Sequence, residues 1–252
     1  MDITKYTKND NEKPLDYIPQ NGGMCRIFRR IACVGDSLSS GEFETKNADD
    51  TRNYYDMYEY SWGQYIARMC GSKVYNFSKG GMTAKEYMES FADRNGFWNR
   101  AKAAQAYIIA LGVNDLNSNN VDVGSKDDID LRDYRNNKPT FAGYYGQIVQ
   151  RYKEISPDAK FFFVTMPKCN DEEKSKKHRD ILENLTEVFD NSYLIDLYSY
   201  APNYDDEYFK KIFFMNSHMS PMGYVYSADI IAAYIDYIIR NNPEDFKMVG
   251  FI

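Results

Sequence analysis

Histidine is scarce in this chain of 252 residues, and closely spaced cysteines are missing. There are only two histidines, His178 and His218, and the four cysteines are scattered without a C-x-x-C pair. Zinc sites are usually built from clustered His and Cys, so a zinc site of the usual composition is not expected. In a chain this long, scattered cysteines do not suggest a disulfide framework either. Chemistry that needs a histidine must use one of these two.

Excess positive charge and long apolar runs are also missing. With 31 Lys and Arg against 37 Asp and Glu, the net charge is -6 and the pI is near 5.1. An acidic chain argues against a nucleic-acid partner held by phosphate contacts and against adsorption to anionic membranes. The longest apolar runs, such as residues 107–111, are too short to span a bilayer, and the first thirty residues lack a signal-peptide core. We therefore expect a cytoplasmic protein, or one already processed.

Five short apolar runs predict strands that are buried on both faces of a parallel sheet, because their apolarity is continuous rather than alternating. These runs are residues 31–34, 74–77, 107–111, 161–165 and 193–196. Helical patterns lie between and after them, at residues 62–69, 84–92, 143–155, 173–189 and 222–239. Strands that alternate with helices indicate a parallel sheet covered by helices on both faces. Such folds bind ligands at the carboxyl ends of the strands.

The pattern predicts an irregular N-terminal arm over residues 1–29 and a single domain over residues 30–252. Two segments interrupt the domain. Residues 42–60 contain four tyrosines and follow the first strand, where they could form a wall of a site. Residues 117–139 are polar and charged, and they follow the third strand. A structureless loop of that length is unusual in a compact domain, so we expect either a lid or wall of the site, or a solvated surface insertion.

The first strand ends in Gly35-Asp36-Ser37-Leu38, which places Ser37 at the turn between strand and helix. There its hydroxyl would project at the mouth of the sheet, near the positive end of a helix. The small residues around it leave room for a substrate carbonyl, so Ser37 is a candidate nucleophile. The alternative is a serine-rich loop that cradles a phosphate, as in flavin-mononucleotide-binding proteins of similar architecture.

Two further segments follow the next two strands. The run from Asn76 to Thr83 contains glycines that allow close backbone approach to a ligand, and Thr83 suits a helix N-cap. The third strand ends in Gly112-Val113-Asn114-Asp115, where the Asn114 amide could donate to an oxygen beside Ser37. An ordinary Asn-Asp turn would look the same. A parallel sheet would bring these segments together with Ser37.

Of the two histidines, His218 is the candidate base for Ser37. It lies just before the last helix, for which Ser220 is the expected cap and Pro221 the expected first-turn residue. His178 lies in a run of charged residues from 171 to 180. We expect that run, and His178 with it, to form a solvated helix face.

Together the four segments resemble the SGNH branch of the GDSL hydrolases, which is named for a Ser, a Gly, an Asn and a His in four blocks. Here the corresponding residues are Ser37, Gly81, Asn114 and His218, in the family's order. The resemblance implies a flavodoxin-like three-layer α/β/α sandwich with a central, mainly five-stranded parallel sheet. It also implies a serine esterase whose mechanism needs no metal and no organic cofactor.

The resemblance assigns roles to these residues. Ser37 would attack an ester carbonyl, and His218 would take its proton and deliver it to the leaving alcohol. The backbone N–H groups of Ser37 and Gly81 and the side-chain amide of Asn114 would bind the oxyanion. Asp36 and Asp115 would support their loops.

The fourth block departs from the family, because Met215 stands where the family has an aspartate, three residues before the histidine. Three explanations are open: a Ser–His dyad whose imidazole is oriented by a backbone carbonyl, an acid from elsewhere, or a weakened or lost activity. We favour the dyad. The candidates for an acid from elsewhere are Glu42, Glu44, Asp205, Asp206 and Glu207.

The leading hypothesis is an esterase that acts on short-chain acyl esters, such as acetyl esters, of a carbohydrate or another small polar molecule. The tyrosines of residues 42–60 could stack on a sugar ring. The alternative from another class is a non-catalytic module that binds a glycan or an ester on the same scaffold. A third hypothesis is a flavodoxin-type nucleotide-binding protein, but this hypothesis gives His218 no role.

Overall fold

Five parallel strands form the central sheet. The computed structural model describes residues 3, 6–118 and 121–250. The strands are β1 (Arg30–Gly35), β4 (Lys73–Ser78), β5 (Ala106–Ala110), β6 (Lys160–Val164) and β7 (Ser192–Ile195). Their order across the sheet is β4-β1-β5-β6-β7, and all neighbours are parallel. Each of the five predicted strands is confirmed to within one residue at either end.

Both faces of the sheet are covered. In β1, Ile31 and Cys33 belong to one apolar cluster, whereas Ala32 and Val34 belong to another. Because successive side chains of a strand point to opposite faces, these two clusters are the two cores of a three-layer sandwich. This explains why the inner strands β1, β5 and β6 lack a polar face, and it confirms the predicted α/β/α architecture.

Four long helices supply most of the outer layers. They are α2 (Trp62–Cys70), α6 (Phe141–Ile155), α7 (Glu172–Thr186) and α10 (Pro221–Asn241). Helices α2 and α10 contribute to the first cluster, and α6 and α7 to the second. Within the described ranges, no helix has the length and apolarity needed to cross a bilayer.

The remaining helices are short. They are α1 (Ser37–Ser40), α3 (Ala84–Glu86), α4 (Ala92–Arg94), α5 (Val113–Ser118), α8 (Leu197–Tyr200) and α9 (Glu207–Phe213). The helix predicted over residues 84–92 is therefore α3, a π-helical turn at Tyr87–Phe91 and the start of α4.

The segment 42–60 forms an antiparallel hairpin of β2 (Glu42–Lys46) and β3 (Arg52–Asp56), followed by a 3-10 turn. A second small hairpin, of β8 (Phe214–Met215) and β9 (His218–Met219), precedes α10. Strand β2 packs against both β8 and β9. The first hairpin therefore stands beside His218, as a wall of the site would.

The described part of the segment 117–139 contains two 3-10 turns, Lys126–Asp128 and Tyr134–Asn136, so it is not a structureless loop. The carbonyl of Asp122 accepts from the Phe141 N–H at 2.8 Å, which anchors the segment to the start of α6. Residues 119 and 120 lie outside the described ranges.

The described part of the N-terminal arm packs on α10 and α2. It contains a kinked 3-10 segment at Gln20–Ile27, and its side chains Cys25 and Phe28 belong to the first apolar cluster. The buried Arg240 of α10 forms ion pairs with Glu12 of the arm and with Asp236. Charge pairing and apolar contacts thus hold the arm to the domain.

Candidate active site

The sharp turn between β1 and α1 sets the position of Ser37. Asp36 is the N-cap of α1 and accepts a hydrogen bond from the Leu38 N–H at 3.1 Å. Burial raises the pKa of Asp36 to about 7. Ser37 is the first residue of α1 and lies beyond the carboxyl end of β1, an inner strand between β4 and β5.

The second and third blocks follow β4 and β5, the two strands that flank β1. Hydrogen bonds join these two blocks to each other. Gly81 has a φ of +72°, a left-handed conformation that favours glycine. The Asn114 amide, at the start of α5, donates to the Met82 carbonyl at 3.1 Å. Asp115 accepts from the Ala84 N–H at 3.0 Å, and burial raises its pKa to about 6. Because β4, β1 and β5 are neighbours, all three blocks meet at one edge of the sheet, as the sequence predicts.

His218 lies on β9 and reaches this edge from the start of α10. Ser220 caps α10 by accepting from the Gly223 N–H at 3.2 Å, and Pro221 is the first residue of the helix, as expected. The hydroxyl of Tyr224, in the next turn, donates to the carbonyl of Glu42 at 2.6 Å and to that of Ser37 at 3.4 Å. This ties the start of α10 to both α1 and β2.

The carboxylate of Glu44 lies against Nδ1 of His218, at 3.2 Å. It is completely buried and also accepts from the N–H and the hydroxyl of Ser217. Its other oxygen lies 3.2 Å from the Arg52 guanidinium, an ion pair rather than an aligned hydrogen bond. Burial alone would raise the pKa of Glu44, but the bonds from Ser217 and His218 and the charge of Arg52 outweigh it and lower that pKa.

A second carboxylate, that of Glu42, lies 3.1 Å from Nε2 of His218. The imidazole is therefore flanked by a carboxylate at each nitrogen. The contact with Glu42 raises the pKa of His218, burial opposes this, and Glu44 adds to the rise. Among the described residues, the Ser37 hydroxyl has no hydrogen-bond partner, and Nε2 contacts Glu42 instead.

The contacts of His218 distinguish between the three explanations for Met215 at the position of the family's aspartate. Among the described residues, the partners of Nδ1 are Glu44 and the Ser217 hydroxyl, and no backbone carbonyl orients the ring as the favoured dyad would require. Met215 is the cross-strand neighbour of His218 in the β8–β9 hairpin. Two of the upstream acids interact with other groups: Asp205 pairs with Lys210, and Asp206 caps α9. An acid from elsewhere, namely Glu44, is the explanation that this arrangement favours.

The expectation that His178 is solvated is wrong. His178 is 1% exposed, and its Nδ1 accepts from the Met166 N–H at 2.9 Å. Since that nitrogen accepts, Nε2 carries the proton and donates to the Leu111 carbonyl at 2.9 Å. Burial lowers the pKa of His178 to about 4, so the ring is neutral. The charges around it in the sequence belong to the outer face of α7, whereas His178 shares the inner face with Ser175, Ile181 and Leu182.

One aromatic side chain of the β2–β3 hairpin, that of Tyr54, stands beside the site. The ring of Tyr54 meets the ring of His218 edge-on, with centroids 5.6 Å apart. Tyr54, Tyr55 and Tyr60 are all exposed.

In the ranges that the structure describes, no group of three or more His, Cys, Asp or Glu is arranged to hold a metal ion.

The fold and the four blocks define an α/β/α hydrolase of the SGNH type. The chain belongs to the GDSL-like lipase/acylhydrolase family, whose model matches residues 33–225. The family of ester hydrolases is therefore established. No curated protein matches the sequence.

Solved structures of carbohydrate esterases share the fold. A family 2 carbohydrate esterase with a carbohydrate-binding domain, from Corynascus thermopiles (Myceliophthora fergusii), has a TM-score of 0.57 and 15% identity, covering 83% of this chain and 66% of that one. A family 2 carbohydrate esterase from Clostridium thermocellum, in complex with cellohexaose, has a TM-score of 0.59 and 14% identity, covering 93% and 66%. A Lactobacillus plantarum protein has a TM-score of 0.61 and 14% identity, covering 85% and 97%. At these identities the likeness shows the fold alone.

Proposed function

We propose that this protein is a serine esterase that hydrolyses short-chain acyl esters, such as acetyl esters, of a carbohydrate or another small polar molecule. One observation carries the proposal. Ser37, the Gly81 loop and Asn114 lie beyond three adjacent strands, and His218 approaches them with a buried carboxylate, Glu44, at its Nδ1. A nucleophile, a base, an orienting acid and oxyanion donors are the groups that acyl transfer needs.

In the proposed reaction, the Ser37 hydroxyl attacks the ester carbonyl while its proton passes to Nε2 of His218. The N–H groups of Ser37 and Gly81 and the Asn114 amide donate to the oxyanion. The attack produces a tetrahedral intermediate that carries this oxyanion. Its collapse breaks the ester bond to the alcohol, and the alcohol leaves with the proton from Nε2. Water then attacks the acyl group on Ser37 by the same route, which releases the carboxylic acid and restores the serine.

Glu44 is the proposed third member of the triad. As the acceptor at Nδ1, it fixes the tautomer that leaves Nε2 free to take a proton, and it stabilises the imidazolium that forms. The Ser217 hydrogen bonds and the Arg52 ion pair hold this carboxylate in place. It would replace the family's aspartate from a different part of the chain, since a triad is defined by geometry and not by sequence position.

A sugar ester suits the surroundings of His218. Exposed tyrosine rings offer flat apolar faces with polar edges, which suit the face of a sugar ring. Tyr54 is in contact with His218, and Tyr55 and Tyr60 lie on the same segment. The carbohydrate esterases that share the fold make this substrate class the first to test.

The experiment that tests the proposal combines turnover with identification of the nucleophile. The protein is incubated with a short-chain chromogenic acetate ester and, separately, with an alkyl fluorophosphonate, followed by peptide mass spectrometry. We expect ester hydrolysis and a single phosphonyl adduct on Ser37. An adduct on another residue would refute the assignment of Ser37. If there is no hydrolysis and no adduct, the proposed esterase is refuted in favour of a binding module.

The pH profile of kcat/KM provides an independent test, because it reports the base of the free enzyme. His218 must be neutral to accept the Ser37 proton, and its pKa is raised above the ordinary 6.5. The charged groups that bear on the ring are Glu42 and Glu44 of β2, Arg52 behind Glu44, and Asp36 before α1. We therefore expect kcat/KM to be lost as the pH falls through a value above 6.5. An acid limb with its midpoint well below that value would contradict this picture of the site.

A further inference from the structure

The two carboxylates that flank His218 are held very differently. Glu44 is completely buried and is fixed by Ser217, His218 and Arg52. The side chain of Glu42 is 13% exposed, and within the described part of the chain its carboxylate has His218 as its only polar partner. Glu42 is therefore the carboxylate that can leave the ring.

Glu42 also lies where the reaction would take place. Its carboxylate is so close to Gly80 that a Cβ at that position would overlap it, so the carboxylate rests on the loop that carries Gly81. Its contact is with Nε2, the nitrogen that must receive the Ser37 proton. While Glu42 holds this place, it competes with Ser37 and with the leaving alcohol for Nε2.

We propose that Glu42 is a specificity-determining residue that selects esters with a free hydroxyl next to the ester group. This inference rests on the proposed esterase function. Such a hydroxyl donates to the Glu42 carboxylate and replaces His218 as its partner, which frees Nε2 for Ser37. An ester without a neighbouring donor leaves the carboxylate on the ring and reacts slowly. The positive charge of the ring is also less favoured once Glu42 turns away, so His218 releases its proton to solvent and becomes a base.

A hydroxyl fits the site better than other donors because of the tyrosine beside it. The exposed ring of Tyr54 flanks His218 and suits a polyhydroxylated ring. An anionic group next to the ester would be repelled by Glu42, so acidic sugars are expected to be poor substrates.

The test compares two acetyl esters of one methyl glycoside, which differ only in whether the hydroxyl next to the ester is free or O-methylated. The wild type is expected to prefer the free hydroxyl by about tenfold or more in kcat/KM, the size of effect that one hydrogen bond to a charged group can give. In Glu42→Ala and Glu42→Gln this preference should vanish, and kcat/KM for the O-methylated ester should rise about tenfold. Alanine is included because a glutamine amide could still hydrogen-bond to Nε2.

Glu59→Gln is the matched control. Glu59 lies in the same segment as Glu42, its side chain is largely exposed, and its partner is Arg68 rather than His218. The control should keep the wild-type preference. If wild type and control hydrolyse both esters and the Glu42 variants keep the same preference, or lose activity on both, the role of Glu42 is overturned while the esterase stands. If no ester is hydrolysed by any variant, the esterase and this inference fail together.

Discussion

Replacing Ser37 with alanine is expected to lower kcat for ester hydrolysis by about 10⁶-fold, because no hydroxyl remains to form the acyl-enzyme. The fold should not change, since the side chain makes no hydrogen bond within the described residues and alanine suits a helix. The measurement is the rate of acetate release under saturating substrate, together with the melting temperature.

Ser39→Ala is the matched control for this change. Ser39 lies on the same short helix, and its buried hydroxyl has no hydrogen-bond partner in the ranges described. It should keep activity near that of the wild type. A Ser37→Ala protein with more than about a hundredth of the wild-type kcat would be incompatible with a serine nucleophile at this position, since loss of the nucleophile costs far more.

Replacing Glu44 with glutamine is expected to lower kcat by about 10⁴-fold, the loss that follows when the acid of a Ser-His-Asp triad becomes an amide. The amide keeps the shape of the side chain but cannot stabilise the imidazolium, and it can present an N–H to Nδ1 and so select the wrong tautomer. The effect should fall on kcat more than on KM. Stopped-time assays at several substrate concentrations separate the two.

A second readout separates this catalytic role from a purely structural one. In the Glu44→Gln protein, the pKa of His218, followed by NMR, should be lower than in the wild type, because Glu44 contributes to raising it. Glu207→Gln, which changes another of the acids that the sequence offered, should alter neither kcat nor this pKa. If Glu44→Gln keeps most of the wild-type kcat, the site works as a Ser–His dyad after all.

The sequence was a good guide to the sheet and to the edge where the site lies. Continuous apolar runs predict doubly buried strands because a parallel sheet leaves no polar face, and the strand order then brings Ser37, Gly81 and Asn114 together. These are local patterns whose meaning does not depend on distant contacts. The final helix with its Ser220 cap was predictable for the same reason.

Other parts of the site depend on contacts that no local pattern encodes. Glu44 meets His218 across 174 positions, and it was only one of several acids that could have done so. The expectation for His178 is wrong because its neighbours in the sequence are charged residues, whereas His178 itself lies on the inner face of α7. The positions Ser175, His178 and Leu182 follow the helical period, and this spacing was the available signal.

Strand β2 carries both carboxylates that contact His218, at positions two residues apart. Residues i and i+2 of a strand share one face, and the intervening Phe43 points to the other side, where it packs against Tyr224. The alignment of β2 against β3 thus sets the location of both carboxylates at once. A slip of one residue in that pairing would turn both away from the imidazole and place an aromatic ring there instead. The pairing of β2 with β3 therefore sets both the orientation of His218 by Glu44 and the proposed selection of substrate by Glu42. Because loop length fixes the register of a hairpin, the length of the connection at residues 47–51 controls both.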